Sequence, residues 1–202
     1  MPHKFDPDHL ERLIDPGRVE WQDPVAILRA FGLRPGMTLA DVGCGPGFFS
    51  LPAAGLVGKE GRVYAIDVQE PMLWALQARL LEAGVHNVLP VLSREDLIPL
   101  STESVDIVLL VNALHELDGD KTLRETHRLL HEDGRLGVVD WKKEPMEEGP
   151  PLEHRVSVDD ARAALAGIGF VGEEVEVGPF HYGLLLRRVE SVHRSTPSGG
   201  PS

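Results

Sequence analysis

Short apolar runs bounded by glycine, proline or acidic residues alternate along the chain with longer stretches whose apolar positions recur at helical spacing. Thr38 to Val42, Arg62 to Asp67, Asn87 to Leu92, Val105 to Val111 and Arg135 to Trp141 read as strands. Val105 to Val111 is apolar on both faces, as suits the middle of a parallel sheet covered by helices. Between the strands the pattern predicts helices. One starts at Pro24, with Asp23 as N-cap and Val25, Ile27, Leu28 and Phe31 as its apolar face, and ends at Gly32. Another begins at Phe48 and runs to about Leu56, with Pro52 tolerated only because it falls in the opening turn. Pro71 to Ala83 follows, with Met72, Leu73, Leu76, Leu80 and Leu81 on its inner side, and then a helix from about Lys121 to Leu130.

Toward the end the pattern changes. Ser157 caps a helix from about Val158 to Ala166, and Phe170 to Val177 and Tyr182 to Val189 read as two more strands. The segment Gly178 to His181 between them is too short for a parallel crossover, so these strands pair antiparallel. Alternating strands and helices with a terminal hairpin predict an α/β doubly wound sheet. Residues 1–22, with a short helical pattern from His9 to Ile14 among prolines, form an N-terminal cap segment, either a loosely ordered terminus or a lid over substrate. Residues 23–190 form the main domain, and 191–202, without an apolar pattern, a disordered tail.

Composition narrows the class. The chain has 202 residues, 42% hydrophobic and 26% charged, within the range of one globular domain. No apolar run suggests a membrane span, and the first residues lack the apolar core of a secretion signal, so a cytoplasmic protein without a membrane partner is expected. A single cysteine, Cys44, allows no internal disulfide and fits a reducing compartment. The net charge of −12 lacks the footprint of a nucleic-acid binder.

The chemistry concentrates at Leu39 to Ser50, LADVGCGPGFFS, where a strand ending in an acid meets glycines at 43, 45 and 47 and then a helix start. Such a loop at the carboxyl end of a strand is a ligand cradle. Its spacing differs from the Gly-x-Gly-x-x-Gly dinucleotide fingerprint. Asp67 ends the second strand 67 − 47 = 20 residues past the last glycine, where a carboxylate can accept from both hydroxyls of a ribose. That indicates adenosine, which a nicotinamide cofactor also carries. Asp41, directly before the glycines, repels a pyrophosphate but suits an ammonium or sulfonium, favouring a nucleoside that bears an amino acid.

With LADVGCGPG, YAID and VDIVLLVNALHEL in these places, the chain resembles the class I S-adenosylmethionine-dependent methyltransferases, specifically the small enzymes related to the quinone-biosynthesis type, over roughly Asp23 to Val189. The resemblance implies a Rossmann-like three-layer sandwich, a seven-stranded mostly parallel sheet ordered 3-2-1-4-5-7-6 with an antiparallel last strand. It implies S-adenosyl-L-methionine as donor, S-adenosyl-L-homocysteine as product and a small-molecule acceptor. Carried over by position, Asp41, Gly43, Cys44 and Gly45 face the methionine part, Asp67 holds the ribose, Val68 lies against the adenine, and Asn112 faces the donor's amino acid. Many relatives place an aspartate where this chain has Arg94; backbone groups at Arg94 and Glu95, or the Glu95 carboxylate, take over the adenine contact here. The alternatives are a nicotinamide-dependent oxidoreductase on a related fold and a non-catalytic S-adenosylmethionine-binding module.

Beyond the loop, His115 and Glu116 follow the fourth strand. His115 is the candidate catalytic base for a hydroxyl or acidic carbon, or else a packing or donor-contact residue. The pair lacks the second histidine of a metal motif, so no metal site is expected. Asp140 and Trp141 end the fifth strand, to orient and stack an acceptor or to close the core. Arg155 is a candidate partner for an acidic substrate. The residues do not indicate an oligomeric state.

Overall fold

Seven strands in the computed structural model, which describes residues 5–189, form one sheet. They are β1 (Thr38–Val42), β2 (Arg62–Asp67), β3 (Val88–Leu92), β4 (Val105–Val111), β5 (Leu130–Trp141), β6 (Phe170–Val175) and β7 (His181–Arg188). Their order is β3-β2-β1-β4-β5-β7-β6, as the resemblance implied. The first five run parallel, and β7 pairs antiparallel with both β5 and β6. Strand order reverses between β1 and β4, which puts the crevice for a ligand at their carboxyl ends.

Two cores cover the sheet. On one face Leu39 of β1 and Ile107 and Leu109 of β4 pack with α1 (Pro24–Ala30), α2 (Ser50–Val57) and α3 (Glu70–Ala83). On the other, Ala40, Val108 and Leu110 pack with α4 (Lys121–Leu129) and α5 (Val158–Ile168). The alternation of successive strand residues between two cores is the period-2 geometry of a strand buried on both sides. Asp23 caps α1 as expected, its Oδ1 accepting from the Val25 and Ala26 N–H groups at 2.9 and 3.1 Å.

Several expectations are corrected. Leu81 does not face inward; it is 84% exposed while Leu76 is fully buried. At about 100° per residue, five residues on from Leu76 brings Leu81 roughly 140° round the helix, so the leucine pair at 80 and 81 cannot share one face. Strand five begins at Leu130 rather than Arg135, because buried Leu130 pairs with Val105 before a register irregularity realigns the strand at Ile107 and Arg135. The helix expected from Phe48 starts at Ser50, which leaves Pro52 in its first turn. The helical pattern from His9 to Ile14 is a 3-10 segment, Pro7–Leu13, kinked at His9. The tail predicted from residue 191 lies outside the described residues. Among the described residues no helix is long and apolar enough to cross a membrane.

Candidate functional site

The turn after β1 is fixed by backbone chemistry. Gly43 and Cys44 donate their N–H groups to the Ile66 carbonyl at 2.8 and 3.0 Å, which ties the loop to the end of β2. Gly43 has φ +74°, and a Cβ there would stand 2.9 Å from the Cβ of Ala113. Only glycine satisfies both the left-handed backbone and the close approach of the β4 end. A cavity of about 720 Å³ opens at this place, between the carboxyl ends of β1, β2 and β4. The donor-site candidates and the candidate base line it, namely Asp41, Gly43, Cys44, Gly45, Asp67, Val68, Arg94, Glu95, Asn112 and His115, as do Glu116 and Trp141, whereas Asp140 and Arg155 do not.

Their environments differ. Asp67 Oδ2 accepts the Gly45 N–H at 2.9 Å, and Oδ1 accepts the Gln69 N–H at 2.8 Å, so its carboxylate is held rigidly between the glycine loop and the start of α3. Asp41 is 2% exposed and accepts the Ser50 hydroxyl at 2.5 Å. Burial pushes its pKa up to about 7, against the Ser50 bond, with a smaller push from Asp67. Asp41 is therefore poised between charged and neutral near physiological pH, and a cation beside it would favour the charged form. Cys44 is buried, and burial followed by the charges of Asp41 and Asp67 pushes its thiol well above the usual range, which suits a packing residue and not a nucleophile.

Arg94 lies on the cavity wall with its backbone committed: its N–H and C=O exchange bonds with Leu97 at 3.0 and 3.2 Å, and its Nε donates to Asp96 at 3.0 Å. The Glu95 carbonyl accepts from Thr122 Oγ1 at 3.1 Å. Asn112 takes a positive φ of +52°, rare for a residue with a Cβ, immediately after β4. Its side-chain Oδ1 is shut off from solvent without a hydrogen-bond partner among the described residues.

His115 sits in a one-turn 3-10 helix, Leu114–Glu116, directly after β4. Its Nδ1 lies 2.8 Å from Asp140 Oδ1, and its backbone N–H donates to Asp140 Oδ2 at 3.2 Å. Asp140 is fully buried at the end of β5, next to β4. Burial pulls the His115 pKa down, but the Asp140 bond and charge, aided by Glu116, outweigh it, and the net direction is upward. Arg155 corrects an expectation: it is 4% exposed and donates to the carbonyls of Pro150, Lys142, Glu144 and Glu148. It pins the loop after β5 with four of its five N–H donors and does not line the cavity, so it is not placed to meet an acidic substrate there.

Sequence reasoning left the N-terminal segment between a loose terminus and a lid over substrate and named none of its residues for the site. The Phe5 carbonyl accepts from Gln69 Nε2 at 3.1 Å, and Phe5, Leu13, Arg18 and Trp21 all line the cavity. Trp21 stands 5.7 Å from Trp141, ring centroid to ring centroid, so the wall near His115 is aromatic. The weak signal available was the spacing of Arg18, Trp21 and Gln22 at one helical turn, without an apolar period to announce an element.

Comparison with known proteins agrees with this geometry. The family described as "Methyltransferase domain" matches residues 40–138, from the middle of β1 into β5. A crystal structure of an S-adenosylmethionine-dependent methyltransferase from Aquifex aeolicus is 39% identical, superposes with a TM-score of 0.89, and covers 92% of this chain and 100% of its own. Nocamycin O-methyltransferase of Saccharothrix syringae is 36% identical over 135 residues, 65% of this chain and 48% of that protein. The ubiquinone/menaquinone biosynthesis C-methyltransferase UbiE of Shewanella sp. (strain W3-18-1) is 32% identical over 114 residues, 55% of this chain and 45% of that protein. The chain spans about half the length of these two curated relatives. By its sheet order, its glycine loop and its likeness over the full length of the Aquifex protein, the chain belongs to the class I S-adenosylmethionine-dependent methyltransferases.

Proposed function

We propose that the protein transfers the methyl group of S-adenosylmethionine to a small-molecule acceptor. The observation that carries this reading is the meeting of Asp41, the Gly43 turn and Asp67 on one cavity at the strand-order reversal. The residues fit the donor. Asp67 presents a fixed carboxylate to a ribose, and buried Asp41 suits a cation. Gly45 and Cys44 follow the methionine part, while Asn112 faces the amino acid with its unpaired Oδ1. Val68, 36% exposed at the end of β2, offers an apolar surface to the adenine. With the Arg94 backbone and its Nε committed elsewhere, Glu95 carries the polar side of the adenine contact and Arg94 contributes shape.

When bound, S-adenosylmethionine supplies a methyl group already activated by a positive sulfur. The chain's own work is to align an acceptor atom and exclude water. Asp140 fixes the His115 ring by two bonds, and in the neutral ring Nδ1 is the donor to Asp140, which leaves Nε2 as the basic nitrogen. His115 thereby takes the proton from an acceptor hydroxyl or acidic carbon. Trp21 and Trp141 on the neighbouring wall favour a flat, apolar acceptor. The net charge of −12 supports a small acceptor over a nucleic acid, and with the single cysteine a cytoplasmic setting.

A labelled-methyl screen over quinols, phenols, amines and small acids tests the reading. Label is expected in a hydroxyl- or carbon-acid acceptor, and His115→Gln is expected to lower turnover with donor affinity nearly intact. Donor binding without transfer to any compound would favour a non-catalytic donor-binding module.

A further inference from the structure

Arg18 is a cation held against the glycine loop without an anion to match it. It belongs to the 3-10 segment Pro16–Glu20, capped by Asp15, and it lines the same cavity as Asn112 and the Gly43 turn. Its guanidinium lies over the Phe48 ring, 4.1 Å from the centroid, where the loop leads into α2. Its two hydrogen bonds go to neutral oxygens, the Leu13 carbonyl at 2.6 Å and Gln22 Oε1 at 2.6 Å. Its Nε is shut off from solvent with no partner among the described residues. The acid whose charge acts on it, Asp15, is engaged by the Gly17 N–H at 2.8 Å.

Gln22 links this cation to the strand end. Fully buried, it accepts from Arg18 through Oε1, and the same oxygen accepts from Asn112 Nδ2 at 3.4 Å. Because arginine only donates, the Gln22 oxygen must face it; Asn112 must then turn its amide N–H to Gln22, which leaves Asn112 Oδ1 as a free acceptor. One short chain of contacts thus presents an unmatched cation and an unmatched acceptor on the same wall. A zwitterionic amino acid carries the complementary pair, a carboxylate and an ammonium.

We propose that Arg18 binds the α-carboxylate of the donor's amino-acid end while Asn112 Oδ1 takes its α-ammonium, with Gln22 positioning both. This rests on the reading that the cavity holds S-adenosylmethionine. Residues 16–22 are then part of the donor site, and binding of the donor fastens the N-terminal segment over the glycine loop. Charge-assisted bonds from a planar guanidinium to a carboxylate are the strong kind, and a half-buried cation whose Nε is shut off from solvent gains from receiving its counter-ion.

The test compares two nucleosides by calorimetry on the full chain: S-adenosylhomocysteine, which has the amino-acid end, and 5′-methylthioadenosine, which lacks it. Arg18→Met keeps the unbranched stem of the side chain and removes the charge. It should lower affinity for S-adenosylhomocysteine by about tenfold or more and change affinity for methylthioadenosine by less than about twofold. Arg18→Lys, which keeps the charge without the fork, should fall between the two proteins. Retained methylthioadenosine binding reports that the variant is folded with its adenosine site intact. Unchanged affinity of Arg18→Met for S-adenosylhomocysteine, or equal loss for both nucleosides, would overturn the proposal. A wild-type chain that binds neither nucleoside would overturn the donor reading itself, and this proposal with it.

Discussion

Asp140 grips His115 twice, its Oδ1 at 2.8 Å from the ring Nδ1 and its Oδ2 accepting the His115 backbone N–H at 3.2 Å. The two residues lie just beyond and at the ends of β4 and β5, and the Asn112 N–H donates to the Val139 carbonyl at 2.8 Å to hold the strand ends in step. The carboxylate sets the ring orientation and raises its basicity, as a second residue does for a general base. If His115 accepts the acceptor's proton, turnover rises with pH along a limb set by His115, and that limb stands above the ordinary histidine value because Asp140 outweighs burial. Asp140→Asn removes the charge and should move the limb to lower pH while reducing kcat, with donor affinity within about threefold of wild type. A pH profile of kcat for both proteins checks this; a limb that does not move would place Asp140 in the core and not in the base pair.

Asp41 sets stability against binding. Its folded pKa of about 7 exceeds its ordinary value of 3.8, so its contribution to stability is full below that ordinary value and is lost as pH rises through 7. At pH 8 the cost is on the order of 4 kcal/mol, from a rise of 3.8 to about 7 at about 1.4 kcal/mol per pKa unit. Asp41→Asn keeps an acceptor for Ser50 and removes the charge. We expect denaturant melts to show the variant more stable than wild type at pH 8 and equal near pH 4, while its affinity for S-adenosylmethionine falls. A variant less stable at pH 8 would contradict this account of Asp41.

His181 carries the opposite linkage. It is 2% exposed, stacked on Trp21 at 5.7 Å and tilted against Trp141 at 4.2 Å by ring centroids, and neither ring nitrogen has a partner among the described residues. Burial pulls its pKa down to about 3, so its contribution is present above the ordinary value of 6.5 and is lost as pH falls toward 3. That amounts to about 2 kcal/mol by pH 5. His181→Phe keeps the aromatic contact without the buried nitrogens, and its melting temperature should fall less than that of wild type between pH 7 and pH 5. Parallel decline of the two proteins would show that His181 does not govern acid stability.

Much of the site was legible in local sequence because its chemistry is local. The β1 strand, glycine turn and helix start are contiguous, and Asp67 is marked by its place at the end of a second apolar run. The same runs, with the short connection before β7, showed a doubly wound sheet ending in an antiparallel pair, while the strand order came from the family resemblance. What escaped depends on contacts between distant segments. Arg18, Gln22 and Phe5 belong to short 3-10 turns and irregular chain with no apolar period, and only the folded chain brings Gln22 to Asn112 and Phe5 to Gln69. Asp140 was visible as a strand-end acid, but whether it faced an acceptor, the core or His115 depends on the β4 and β5 ends lying side by side. Arg155 looked available for a substrate because a sequence does not show the bend of the loop that turns four carbonyls toward it.

Donor recognition at the β1/β4 crevice is the central claim, and Asp67 tests it most directly. Calorimetric titration of S-adenosylmethionine and of reduced nicotinamide adenine dinucleotide into wild type and Asp67→Ala is the decisive measurement. Loss of charge-assisted bonds worth roughly 1.5–3 kcal/mol each predicts that wild type binds S-adenosylmethionine in preference and that the variant binds it at least about tenfold more weakly. Equal affinity of the two proteins for S-adenosylmethionine, or a wild-type preference for the nicotinamide, would contradict the assignment.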